Sequence, residues 1–192
     1  PLWSYMVAAE LLDFGFSGLI MAGVERFRLD PSLPGAPLDL YHMPWTHSLS
    51  AAIVWSLLAA AFVWKAMKLP PRAAAMIGFV VLSHWGLDLI VHRPDLPLLW
   101  QEPKVGLGLW NTPVLAEALE MGVLGLAAAA YAGWRGANGV APWPALALFG
   151  VLIALQMTSL VVPMPPGPVS MGVTFLAVYL TATLAAALVE RR

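Results

Sequence analysis

The chain has 192 residues, a formal net charge of −1, 60% hydrophobic residues and only 11% charged ones, with a mean hydropathy of +0.77. A soluble domain carries about 25% charged residues, so this composition describes an integral membrane protein with little mass left for a soluble domain. The near-neutral charge excludes a nucleic-acid partner held by bulk positive charge, and the lack of cysteine excludes disulfides and thiolate metal sites.

A bilayer-spanning helix needs about 20 mostly apolar residues. Six runs qualify, near 2–24, 46–65, 73–92, 113–134, 144–162 and 169–189, and they predict an all-α polytopic fold forming a single transmembrane domain. The first run carries Glu10 and Asp13 and has no basic leader of the signal-peptide kind. The chain starts at Pro1 without Met, which leaves room for upstream residues. A loop with Pro31, Pro34, Gly35 and Pro37 follows, and the second run opens at Thr46-His47, with Thr46 as the expected N-cap. Pro70-Pro71 leads into the third run, which ends in Ser83-His84-Trp85-Gly86-Leu87-Asp88 and His92-Arg93-Pro94-Asp95. The fourth run holds Glu117, Glu120 and small residues between Gly122 and Gly133 that suit close helix contacts. The last two runs are generic, separated by a proline-rich stretch from Pro163 to Pro168, and no run shows a break in mid-span.

Basic residues set the expected orientation. With six spans, one side holds Lys65, Lys68, Arg72, Arg135, Arg191 and Arg192, and the other holds Arg26, Arg28, Arg93 and Lys104. The positive-inside rule then places both termini in the cytoplasm. Of the acidic residues only Glu190 falls on that inner side; Glu25, Asp30, Asp39, Asp95 and Glu102 lie in the two long outer loops. Trp45, Trp100 and Trp110 outside and Trp64, Trp134 and Trp143 inside read as interfacial anchors.

His84, Asp88 and His92 are spaced four apart and share one helical face. Ionisable groups within a span are costly and mark function by default. At about 1.5 Å per residue, Asp88 lies roughly 6 Å and His84 roughly 12 Å below His92, Glu120 roughly 10 Å below Pro113, and Asp13 roughly 16 Å below the outer end of its span. Lipid offers no hydrogen bonds, so these groups should turn toward one another in the outer half of the bilayer. Side chains on successive turns can ligate one cation with further donors from other helices. A His/Asp/Glu set without Cys suits Zn first, then Mn or Fe. An open coordination position would bring the pKa of a bound water to about 7, with Glu120 as base and Glu117 as the alternative. The pair His84–Asp88 equally fits an interhelical hydrogen-bonding role, and His92 and Asp95 read as a helix-end collar above it.

The segments Pro37-Leu38-Asp39-Leu40-Tyr41-His42-Met43-Pro44-Trp45-Thr46-His47-Ser48-Leu49, Ser83-His84-Trp85 with Leu87-Asp88, His92-Arg93-Pro94-Asp95-Leu96-Pro97-Leu98 and Gly106-Leu107-Gly108-Leu109-Trp110-Asn111 resemble a family of bacterial multi-span membrane proteins whose members are labelled permease or metal-dependent hydrolase. A more distant likeness is to the LexA-regulated inner-membrane hydrolases, through a Thr-His-Ser element and a later Ser-His…Asp element. The resemblance runs from about Leu11 to Glu120. It implies His47, His84, Asp88 and Asp13 as the ligand set, Glu120 as the acidic residue after the Trp-Asn element, and location in the bacterial inner membrane. Such relatives carry a histidine upstream of these elements; none stands before Pro1 here, which points either to further upstream chain or to a non-catalytic relative.

Three functions are compatible with these features. The first is a metal-dependent hydrolase of an ester or phosphoester, with a membrane lipid among the candidate substrates and Arg93 holding the anion. The second is an accessory subunit of a larger membrane complex, its polar cluster fixing helix packing against other membrane subunits. The third is a small permease relaying protons through Asp13, His84, Glu117 and Glu120.

Overall fold

A computed structural model describes residues 1–190; Arg191 and Arg192, counted above among the inner basic residues, lie outside the described residues. The fold is helical throughout, with α1 (Leu2–Ala9), α2 (Leu11–Met21), α3 (Leu49–Lys65), α4 (Pro71–Val91), α5 (Pro113–Ala137), α6 (Trp143–Val161) and α7 (Pro168–Glu190). Two small antiparallel ribbons cap it: β1 (Arg26–Leu29) with β2 (Leu38–His42), and β3 (Leu96–Pro97) with β4 (Lys104–Val105). Helices α4, α5 and α7 are long and apolar enough to cross a membrane, and α3 and α6 are shorter apolar helices.

The first run departs from the expected continuous helix. It is broken between α1 and α2 by a 49° bend, and only the two pieces together reach membrane-spanning length. Glu10 sits in the bend, where its amide bonds the Met6 carbonyl and the ladder resumes at the Phe14 amide on the Glu10 carbonyl. The start of α3 also differs. Its N-cap is Ser48, whose hydroxyl accepts from the Ala51 amide at 3.1 Å, not Thr46. The helix begins late because the Thr46 amide is donated to Glu25 and the His47 carbonyl accepts from Trp85 Nε1 at 2.9 Å, so this backbone is committed elsewhere.

Helix α4 packs on α3 and α1, α7 packs on α1, α2 and α6, and α6 packs on α5. The result is an open curve of helices in which α4 and α5 are not packed along their lengths, and the short 3-10 turn Leu109–Asn111 touches both at one end. Close approach sets two glycines. A Cβ on Gly172 of α7 would meet Met21 Cγ at 2.5 Å and the Ser17 carbonyl oxygen at 2.7 Å, so only glycine lets α7 lie on α2. A Cβ on Gly106 would meet the Arg93 carbonyl oxygen at 2.0 Å, so glycine also fixes the capping loop against the end of α4.

The outward surfaces are apolar. Leu57, Phe79, Leu126 and Leu184 are each 60–75% exposed, as expected of helices facing hydrocarbon. At one end α1 and α7 meet, with the Leu2 amide donated to the Glu190 carboxylate at 2.8 Å and Arg135 reaching the Val189 and Ala141 carbonyls. At the other end lie the ribbons and the Leu109–Asn111 turn.

Candidate metal centre

Four side chains from three segments converge beneath the ribbons. Asp13 comes from α2, His84 and Asp88 from α4, and His47 from the turn before α3. His47 Nε2 lies 3.2 Å from Asp13 Oδ1 and 3.7 Å from Asp88 Oδ2; His84 Nε2 lies 3.8 Å from Asp13 Oδ1 and 3.2 Å from Asp88 Oδ2. Asp13, His47 and His84 offer one donor atom each within 4.8 Å of one another, a spacing at which they could hold a metal ion. A cation about 2.0–2.2 Å from nitrogen and oxygen donors sets tetrahedral ligands roughly 3.4 Å apart, close to the 3.2 and 3.8 Å that separate Asp13 Oδ1 from the two Nε2 atoms.

The imidazoles are aimed by what lies behind them. Glu25 is fully buried and accepts from the Trp45 and Thr46 amides at 2.8 and 3.0 Å through Oε1, and from the Thr46 hydroxyl at 2.7 Å through Oε2. The Thr46 oxygen, its own proton given to Glu25, accepts from His47 Nδ1 at 2.7 Å. His84 Nδ1 donates to the Ala9 carbonyl at 2.7 Å, and a carbonyl can only accept. The bend at Glu10 releases that carbonyl from the helical ladder. His92 Nδ1 donates to Asp95 Oδ1 at 2.9 Å, and its Nε2 lies 4.0 Å from Asp88 Oδ1. In each ring Nδ1 carries the proton and Nε2 faces the carboxylates, the arrangement by which outer groups orient metal-ligating histidines.

Asp88 Oδ2 is buried and finds no hydrogen-bond partner among the described residues, although His84 Nε2 lies 3.2 Å and His47 Nε2 3.7 Å from it. A buried carboxylate oxygen without a hydrogen bond is expensive, and a cation among these donors would relieve that cost. Asp13, His47 and His84 could therefore hold a metal ion, with Asp88 beside them.

A cavity of about 660 Å³ opens onto the centre, lined among others by Asp13, His47, Asp88, His92, Glu120 and Tyr179. Glu120 Oε2 accepts from Gln156 Nε2 of α6 at 2.7 Å, and Glu117 shares the same donor at 3.2 Å. The Tyr179 hydroxyl is set against Asp13.

The expected anion holder, Arg93, is placed differently. Its buried guanidinium donates to the Pro34, Ala36 and Leu38 carbonyls and, through Nε, to Asn111 Oδ1 at 3.0 Å. Arg93 thus ties the end of α4 to the β1–β2 loop and to the Leu109–Asn111 turn. His42 lies on β2 and bonds Gln101, away from the centre.

Several contributors escape sequence reasoning. Glu25 reads there as a loop acid, and its signal is a lone carboxylate closing an apolar run. His92 reads as a surface collar yet is 4% exposed and lines the cavity, and Trp110, expected as a membrane anchor, packs on it at 4.2 Å between ring centroids. Tyr179 lies in a span that looks generic.

No protein-family model, curated protein or solved structure matches the chain. The fold and site define its class: a helical chain with membrane-length helices, enclosing a half-buried carboxylate–imidazole group that could hold a metal ion.

Proposed function

We propose that this protein is a metal-dependent hydrolase of the bacterial inner membrane, with six spans, both termini cytoplasmic, and its centre in the outer half of the bilayer cleaving an ester or phosphoester. The observation that carries this reading is Asp88 Oδ2, buried without a hydrogen-bond partner among the described residues and facing two oriented Nε2 atoms. Asp13, His47, His84 and Asp88 hold the ion; Zn fits first, Mn or Fe next. A divalent cation so held polarises a phosphoryl or carbonyl oxygen and acidifies water. Glu120, on the wall of the same cavity, takes the proton of the attacking water and returns it to the leaving alkoxide. Arg93 keeps the roof of the cavity in place. The resemblance to the family labelled metal-dependent hydrolase supports the same reading.

The test is turnover of bis(4-nitrophenyl) phosphate and a 4-nitrophenyl ester by the purified chain reloaded with Zn or Mn, beside Asp88→Asn. Metal-dependent turnover lost in Asp88→Asn is the expected result; no turnover, or equal turnover in both proteins, contradicts it.

One observation favours the permease reading as runner-up. The break between α1 and α2 places Asp13 beside a non-helical turn, as in the discontinuous helices of transporters. Proton flux in proteoliposomes that is abolished by Asp13→Asn would support that alternative; flux indifferent to it would remove it.

A further inference from the structure

A second cavity, of about 790 Å³, reaches the same centre from the side. Its walls are α1, α4, α5, α6 and α7, and its lining is apolar along most of its length, with Leu87, Ile90, Leu119, Val123, Leu152 and Val178 among the wall residues. Polar groups gather at its inner end: His84, Asp88, Glu120, Gln156, Tyr179 and, at the α1–α2 bend, Glu10. Four of these, Asp88, Glu120, Gln156 and Tyr179, also line the cavity beneath the ribbons. The two spaces therefore meet at the carboxylate–imidazole group, one beneath the ribbons, the other running away from it between apolar helix faces.

Three features say what the apolar space takes. First, its two facing walls, α4 and α5, are among the helices of membrane-spanning length, so the space lies at hydrocarbon depth. Second, those walls are not packed together, and the Leu109–Asn111 turn bridges them only at the ribbon end, which leaves the cleft open sideways. Third, its lips are exposed: Leu87 is 57% and Val123 52% accessible. A laterally open apolar cleft at that depth meets acyl chains, not water.

We propose that the α4–α5 cleft is an acyl-chain site, by which a membrane phospholipid enters sideways and lays its phosphate at the junction of the two cavities. The substrate of the centre is then a phospholipid rather than a soluble ester. Naming the lipid a substrate rests on the hydrolase reading; the acyl-chain site itself stands on the cleft.

The full chain in liposomes containing phosphatidylglycerol with a diazirine near the end of one acyl chain provides the test. Irradiation and mass-spectrometric mapping should place adducts on Val80, Leu124 or Leu152. Val123→Trp and Ala127→Trp, at exposed positions of α5 about one and two turns from Glu120, each fill part of the cleft. Each should lose those adducts while keeping adducts on outward-facing Leu57 and Leu184. Adducts confined to the outward residues, or cleft adducts indifferent to both substitutions, overturn the site. Hydrolysis of water-soluble bis(4-nitrophenyl) phosphate should persist in Ala127→Trp. If wild type turns over that probe but shows no cleft adducts, the lipid site alone fails. If cleft adducts form without any turnover, the hydrolase reading alone fails.

Discussion

Thr46→Val keeps the shape of the side chain and removes one oxygen, the link between Glu25 and His47. Two effects follow. Glu25 Oε2 loses the hydroxyl that donates to it at 2.7 Å in a fully buried site, and a buried acceptor left unmet costs about 1–3 kcal/mol. The other oxygen keeps both amide donors, which holds the loss of stability near the lower end of that range. His47 Nδ1 loses its acceptor, so the ring is no longer held with Nε2 toward Asp13 and Asp88. Loss of an outer-shell partner of this kind lowers metal affinity about 10–100-fold, or about 1.4–2.7 kcal/mol. Competition against a chromophoric chelator, on detergent-purified protein, reads the affinity, and thermal unfolding of the metal-free chain reads the stability. Thr46→Ser restores the hydroxyl and should restore the affinity. If Thr46→Val lowers the unfolding temperature but binds metal as tightly as wild type, the relay from Glu25 to His47 has only a structural role.

Other substitutions separate the roles of the remaining groups. Glu120→Gln should cut phosphodiester turnover about 10²–10⁴-fold, as expected for loss of a general base, with metal affinity unchanged by chelator competition. Arg93→Ala leaves loop carbonyls without their donor and should destabilise the fold by about 1–3 kcal/mol in thermal unfolding, while bound metal remains; loss of turnover with unchanged stability would return Arg93 to an anion-holding role. Gly172→Leu drives a side chain into Met21 and the Ser17 carbonyl and should cost about 1–3 kcal/mol or more, read as a lowered unfolding temperature; a stable variant would contradict the close packing of α2 and α7.

The helical character and the helix boundaries after Pro70 are legible in the amino-acid sequence because apolar runs of this length have few alternatives in lipid. Proline at the first position of α4, α5 and α7 marks their starts. The convergence of Asp13, His47, His84 and Asp88 is legible for the same reason: charged groups within apolar spans must meet one another. What is not legible is set by tertiary partners. The break at Glu10 carries no proline; its place follows from the Ala9 carbonyl serving His84 across the bundle. Ser48 caps α3 in place of Thr46 because Glu25, some twenty residues earlier, claims the Thr46 amide and hydroxyl. The depth of His92 is equally hidden, since Trp110, Asp95 and the ribbons close over it only when folded. Arg93 reads as a free cation at a helix end because nothing in its neighbourhood reveals that distant loop carbonyls surround it.

The central claim is that the group around Asp88 exists to hold a divalent ion rather than to pin helices together. Metal content of the purified chain, after reloading with Zn or Mn and removal of excess ion, tests it most directly. Stoichiometric metal is expected in the wild-type protein and none in His84→Ala/Asp88→Ala, with both proteins folded by circular dichroism. A wild-type chain that retains no ion, or a double variant that retains as much as wild type, contradicts it.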